Sequence, residues 1–305
     1  MFFRNLVVYR LPAGWALSPS EIEEKLATRP LQPCAPFDML SKGWVAPSKT
    51  GRLVHNVARQ CLLALGVEQK ILPASVIRQE AQRRAGVLEQ SRGFPVGRRE
   101  MRDLKLRVTE ELRARALCRQ RVTRAWIDPV NGWCVVDAAS PARAEELIEV
   151  LRDTLGSFAV STLSTQQSAH TSMATWLIAG EAPGRIAIEQ DLELASRDGA
   201  KASVRYARCP LESRDIKSHL AAGRQPVRLG LSWSDRIAFV LTDKLQLKRV
   251  EFLELGGDEP DAGQDQSGEA ERFDADFTVM AGELANLLRD VVDVLGGEMP
   301  QAQAA

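Results

Sequence analysis

Residues 2–9 (Phe-Phe-Arg-Asn-Leu-Val-Val-Tyr) are rich in aromatic and β-branched side chains and predict a strand. Ser18 or Ser20 can cap a short helix that places Ile22 and Leu26 on one face, and Pro30, Pro33 and Pro36 break it. Residues 53–67 are expected to hold two strands. A helix is predicted from Pro73 to Gly86, a break at Arg92–Gly97, and a longer helix from Arg98 to about Arg119. Met101, Leu104, Val108 and Leu112 form its apolar stripe at three- and four-residue spacing.

Residues 123–127 and 133–137 alternate as strands, and Asn131-Gly132 between them predicts a type I′ hairpin turn. Ser140-Pro141 opens a helix that runs to about Leu155 and stops at Gly156. A strand at 158–163 and a short helix at 173–178 follow. Residues 203–208 are strand-like, 213–222 helical, and 227–233, 237–242 and 247–252 alternate as antiparallel strands. The acidic stretch Gly256 to Gly268 predicts an exposed loop. Phe277, Met280, Leu284, Leu287, Val291 and Leu295 define a last helix, halted by Gly296-Gly297. Hairpin signals outnumber βαβ units, so the expected class is α+β with mainly antiparallel sheets. The expected division is a central α/β sheet region (1–75 and 125–250), an Arg-rich helical extension (76–124), and an acidic loop with a C-terminal helix (251–305).

Charge changes the picture more than composition does. With 45% hydrophobic and 26% charged residues, the chain is an ordinary globular one. No apolar run reaches the roughly 18 residues of a membrane span, so no membrane partner and a cytoplasmic location are expected. The net charge is zero, but it is segregated. Residues 77–125 carry fourteen Arg/Lys against six Asp/Glu, a balance of +8. Residues 201–250 carry eleven against four, +7, and residues 251–305 carry two against fourteen, −12. Such separation points to an electrostatic partner.

Within the first block Arg98, Arg102, Lys105 and Arg113 fall in an arc of roughly 80° on an ideal helix. Arg83, Arg84, Arg92, Arg99, Arg115 and Arg119 add to it, and Lys201, Arg205 and Arg208 open the second block. Arginine forks suit phosphate, and acidic partners within one turn are few. The bland alternative is a solvated helix face. No zinc finger, basic zipper or helix-turn-helix pattern supplies base readout, so binding would rest on phosphates.

Enzyme signals are sparse. The chain has no G-x-x-x-x-G-K-[ST], no G-x-G-x-x-G after a strand and no G-x-S-x-G. His55, His170 and His219 stand alone, and the five cysteines show no C-x-x-C spacing, so no metal, cofactor or disulfide framework is expected. Asp274-Ala275-Asp276 is read as the N-cap region of the last helix; the alternative is a Mg²⁺ pair in a nuclease.

Several stretches in order resemble the RdgC family. They are Met1–Leu11, Pro33-Cys34, Lys42-Gly43-Trp44-Val45, Lys70-Ile71-Leu72-Pro73, Trp126-Ile127-Asp128 with Asn131-Gly132, Leu155-Gly156-Ser157, Leu231-Ser232-Trp233, Arg236-Ile237-Ala238-Phe239 and Arg272-Phe273-Asp274-Ala275-Asp276-Phe277. The resemblance implies a non-enzymatic, nucleoid-associated protein. It would bind double-stranded DNA, and single-stranded DNA more weakly, with little sequence preference. It also implies an elongated, horseshoe-like subunit that pairs into a ring-shaped homodimer around DNA and restrains RecA-mediated recombination. The family places basic residues on the DNA side at Arg208 and around Arg98-Arg99, while the segment Gly93–Gly97 is less charged than usual. Leu112, Leu117 and Cys118 are the candidate dimer contact; Leu117 stands where the family often carries Phe. A protein-interaction adaptor is the alternative reading, with the nuclease behind it.

Overall fold

The computed structural model describes residues 2–15, 17–196, 202–211, 213–253 and 266–299. Its class is α+β, with an antiparallel sheet of twelve strands and seven helices among the described residues. The chain divides into two compact units. The larger comprises residues 1–25, 46–63 and 123–305, and the smaller residues 26–45 and 64–122. The strands β4 (Gln60–Lys70) and β5 (Cys118–Asp128) contribute residues to both.

In the larger unit the strand order after β5 is β6 (Trp133–Asp137), β1 (Asn5–Arg10), β12 (Leu247–Phe252), β11 (Ile237–Thr242), β10 (Arg224–Trp233), β8 (Ile186–Ser196) and β9 (Ser203–Tyr206). Two short strands lie off this path: β3 (Val54–Val57) pairs with β4, and β7 (Ser161–Thr162) with β1. Leu6 to Tyr9 are all buried, so both faces of β1 are covered and its apolar run needs no alternation. Its register against β6, Leu6↔Asp137 through Arg10↔Trp133, sets the centre of the sheet.

The helices of this unit are α1 (Pro19–Leu26, whose last residue belongs to the smaller unit), α4 (Pro141–Leu155), α5 (Ala169–Ala179), α6 (Ser213–Ala221) and α7 (Gln266–Val294). Ser18 caps α1 reciprocally: its Oγ accepts the Glu21 N–H at 3.3 Å while its own N–H donates to the Glu21 carboxylate at 2.7 Å. The Ser18 hydroxyl also donates to that carboxylate at 2.6 Å, and this bond, followed by the one from the Ser18 N–H, holds the Glu21 carboxyl below its usual range. In α4, Pro141 occupies the first turn, Gly156 closes the helix at φ +79°, and Ala144, Leu147, Ile148, Val150, Leu151 and Leu155 are buried. The core stripe of α7 (Phe277, Met280, Leu284, Leu287 and Val291) is buried as its periodicity requires, as is Leu295 just past its end.

The smaller unit contains β2 (Leu40–Val45), paired with Ala64–Gln69 of β4, and two helices, α2 (Ala74–Arg92) and α3 (Arg98–Arg115), packed on each other. Gly43 is required here. A Cβ at this position would lie 2.3 Å from the Leu31 backbone N, because Leu31 N–H donates to Trp44 O and Trp44 N–H to Arg29 O.

Four expectations are corrected. The long basic helix ends at Arg115, and Arg119 lies on β5. The hairpin between β5 and β6 exists, but its loop has four residues, 129–132, with positive φ at Gly132 and not at Asn131. There the buried Asp128 carboxylate accepts N–H groups of Val130 and Asn131 at 2.9 and 3.1 Å, which sets the turn. Only Ser161–Thr162 of the segment 158–163 is strand. The last helix begins at Gln266, so residues 266–268 are helical rather than loop; residues 256–265 of that expected loop lie outside the described residues.

Candidate nucleic-acid interface

Two basic surfaces stand out, one in each unit. In the smaller unit, α3 starts after Gly97 and buries only Val108 of its eighteen residues. Met101, Leu104 and Leu112 of the expected stripe are half-buried, on a helix that packs on α2. Arg98, Arg99, Arg102 and Lys105 are exposed, and their side chains make no ion pair or hydrogen bond to another described residue. Arg98, Arg102 and Lys105 lie one turn apart on one side of the helix, as the spacing requires.

Four of the other sequence-selected arginines are engaged within the chain. Arg83 and Arg84 both pair with Glu80, at 2.7 and 2.8 Å, and Arg84 reaches across to Glu111 of α3 at 2.7 Å. Hydrogen bonds from Arg83 and then Arg84 bring the Glu80 carboxyl down to about 2, and Arg84 lowers that of Glu111. Arg92 pairs with Glu100. Arg113 donates to the Phe37 carbonyl at 3.1 Å. Arg115 ends α3 exposed, and Arg119 is exposed on β5.

In the larger unit a shallow cleft of about 260 Å³ opens on the sheet, lined by Arg205, Arg228, Lys248, Arg249, Asp191 and Glu193 among others. The register builds it: Arg205 of β9 is opposite Glu193 of β8, which is opposite Arg228 of β10. Arg228 lies 3.3 Å from Glu193, and Arg249 lies 3.9 Å from Asp191. A register shift between Ala238 and Val240, with Arg249 at φ +52°, lets the adjacent residues Lys248 and Arg249 both line the cleft. Sequence reading found Arg205 but missed Arg228, Lys248 and Arg249. Each sits in an alternating strand, and only the strand order brings them together. Arg208 is exposed in the turn after β9 at φ +51° and does not line the cleft; Lys201 lies outside the described residues.

The carboxylates read as a helix cap are displaced. Asp274 and Asp276 sit inside α7, eight and ten residues beyond its start at Gln266. On a helix, residues two apart point roughly 200° from each other, so the two cannot share one metal ion. Asp274 instead lies 3.3 Å from Nε2 of the buried His55, off hydrogen-bond alignment, and the imidazole is set edge-on against Phe273 and Phe277. Burial lowers the His55 pKa and Asp274 partly restores it.

The three residues selected as a dimer contact differ in exposure. Leu112 is half-buried, Cys118 exposed, and Leu117 80% exposed, which is unusual for a leucine. One other grouping was invisible in the spacing: Cys34, Glu68 and Cys118, from three separate segments of the smaller unit, meet with ligand atoms within 4.8 Å of one another. Among the described residues no helix is long and apolar enough to cross a membrane.

The family model described as "Putative exonuclease, RdgC" matches residues 1–298. A recombination-associated protein RdgC of Dechloromonas aromatica (strain RCB) is 44% identical over 306 residues, covering 99% of this chain and all of the relative. Another, from Herminiimonas arsenicoxydans, is 45% identical over 298 residues, covering 98% and 99%. Both the family model and relatives of this identity span nearly the whole chain, and the chain therefore belongs to the RdgC family of recombination-associated proteins.

Proposed function

We propose that the protein binds double-stranded DNA without sequence preference, and single-stranded DNA more weakly, through phosphate contacts. The observation that carries this reading is the exposed, unpaired cationic row Arg98, Arg99, Arg102 and Lys105 in a segment of net charge +8. Unpaired cations release counterions from a polyanion, whereas Arg83, Arg84 and Arg92 spend their charge inside the hairpin. Arg115 and Arg119 extend the row, and Arg113 joins it by releasing the Phe37 carbonyl. Arg205 and Arg208, with Lys201, are the second contact region, to which the cleft adds Arg228, Lys248 and Arg249.

The active form in this proposal is a ring-shaped homodimer that encircles DNA in the nucleoid and restrains RecA-mediated strand exchange. Leu117, Leu112 and Cys118 supply one contact. A side chain as exposed as Leu117 gains by burial against a second copy, roughly 1.5–3 kcal/mol if covered fully. The activity is binding rather than cleavage, since Asp274 and Asp276 diverge on α7.

The experiment is a salt series on linear and closed circular DNA of several sequences, with mass in solution measured alongside. Affinity falling steeply with salt and varying little with sequence supports binding. A dimer mass, with circles but not linear DNA retained after a high-salt wash, supports encirclement. Salt-insensitive affinity, or preference for one short sequence, overturns the binding reading. Degradation of DNA ends with Mg²⁺ overturns the non-enzymatic one.

A further inference from the structure

The grouping of Cys34, Glu68 and Cys118 is not among the residues proposed to contact DNA, yet its chemistry is specific. Two thiol sulfurs and one carboxylate oxygen lie within 4.8 Å of one another. They come from the segment after Pro33, from β4 and from the first residue of β5, all within the smaller unit. The carboxylate is held from both sides. Cys34 N–H donates to Glu68 Oε1 at 2.8 Å, and Gln120 Nε2 donates to Oε2 at 2.7 Å. The Cys34 thiol donates to the Glu68 carbonyl at 3.2 Å, which holds the sulfur beside β4. Glu68 is buried while Cys118 is exposed, so the group has an ordered base and an open mouth.

Charge balance narrows the occupant. Two thiolates and a carboxylate together carry −3. Lys70 is buried two residues along β4 from Glu68, its ammonium held by the carbonyls of Ala35 and Pro36 at 2.7 and 2.8 Å, and it contributes +1. A divalent cation supplies the remaining +2. Buried charge is tolerated when it is compensated in this way. Thiolates favour a soft or borderline ion, and zinc takes Cys sulfur and Glu oxygen at about 2.3 and 2.0 Å in a tetrahedron. That implies ligand atoms roughly 3.5–3.8 Å apart, so the three side chains need close by only about 1 Å.

We propose that Cys34, Glu68 and Cys118 bind one zinc-type divalent cation, with water in the fourth position. Two thiol protons pass to solvent as the two metal–sulfur bonds form; no oxidant or reductant is needed. The ion ties the 33–36 segment to β4 and β5, just beyond the end of α3. Sequence spacing hid the site because its cysteines are 84 positions apart.

The test uses the full chain, reduced and stripped with a chelator, titrated with Co²⁺ as the spectroscopic probe and then with Zn²⁺. The expected result is a sulfur-to-cobalt charge-transfer band that saturates at one equivalent and disappears when zinc displaces cobalt. Cys34→Ser and Cys118→Ser each abolish the band, Glu68→Gln weakens binding by roughly 10-fold or more, and Cys209→Ser leaves it intact. Circular dichroism confirms that the variants fold. Because Cys118 is exposed, its serine variant keeps the proposal falsifiable even if Cys34→Ser does not fold. No band in the folded parent, or a band that survives Cys118→Ser, overturns the site. So does a loss of two hydrogens in intact mass on air exposure, traced to a Cys34–Cys118 disulfide, in a parent chain that binds no metal when reduced.

Discussion

The helices α3 and α4 are of similar length but are held in place differently. α4 buries six of its fifteen residues, while α3 buries one of eighteen. The contrast extends to their units. Trp126, Phe158, Phe277 and their neighbours fill the larger unit, whereas ten of the fifteen exposed large apolar side chains among the described residues belong to the smaller. The α2–α3 hairpin buries only Ala81, Ala85 and Val108 of its two helices and is tied by the Glu80–Arg84–Glu111 ion pairs. A helix that commits so little to its own core keeps its side chains available for a partner.

The largest expected effect is on stability, and it is one-sided. Trp126→Ala removes a fully buried ring and the Nε1–H bond to Gln60 at 3.2 Å; it should cost about 3–5 kcal/mol. Leu106→Ala on α3, where the side chain is 59% exposed, should change stability by no more than about 0.5 kcal/mol. Urea unfolding of the two variants measures both, and a Leu106→Ala loss above about 2 kcal/mol would break the comparison.

The reverse asymmetry is expected for DNA. Arg98→Glu, Arg99→Glu and Arg102→Glu combined should weaken binding by about 100-fold or more at low salt and flatten the salt slope by about 3, one phosphate for each residue. The thermal midpoint should hardly move, since none of the three has a partner to lose. Reversing Arg83, which already pairs with Glu80, should cost far less affinity. Equal losses from the two sets would mean that net charge, and not the free row, sets affinity.

How much of this was legible depended on whether the signal was local. α4 could be read at both ends because Ser140-Pro141 starts it and Gly156 stops it, with apolar residues at helical spacing between. The class, the three strands from β10 to β12 and the start of α3 after Gly97 were readable for the same reason. The end of α3 was not. Ala116-Leu117-Cys118-Arg119 contains no stop signal, and the chain leaves the helix because Ile71 N–H takes the Leu117 carbonyl at 2.8 Å, a long-range pairing. The start of α7 was missed because residues 266–276 carry a single large apolar residue, Phe273, and so no apolar periodicity. Of the interface, the cations of α3 were visible as a helical arc. The cleft of Arg205, Arg228, Lys248 and Arg249 needed the strand order, and the cysteine–glutamate group needed tertiary contacts.

A smaller effect probes the local signals themselves. Ser18→Ala removes the cap of α1 and should destabilise the chain by about 1 kcal/mol, with no change in DNA affinity, as measured by urea unfolding and binding on the same sample. A change in affinity would show that α1, which carries none of the proposed contacts, takes part in binding.

The smallest expected effect concerns pH and separates the packed α7 from the solvent-facing α3. His55 on β3 is pressed against Phe273 and Phe277 of α7, and burial lowers its pKa from 6.5 despite the nearby Asp274 carboxylate. The groups facing it across the adjoining cavity are Asp274, Glu23 and Arg52; the Glu23 carboxylate is already taken by the N–H groups of Leu53 and Val54. Below pH 6.5 the unfolded histidine gains a proton that the folded one resists. The unfolded state then binds more protons, so stability is full above 6.5, falls as pH falls, and stops falling from this source below the depressed native pKa. Thermal melts at about pH 7.5 and about pH 5 should therefore show an acid loss that shrinks in His55→Gln. The loss should deepen in Asp274→Asn, which removes the carboxylate that favours the charged ring. An acid loss identical in all three proteins would place the sensitive group elsewhere and leave α7 no more tightly coupled to protonation than the open helix α3.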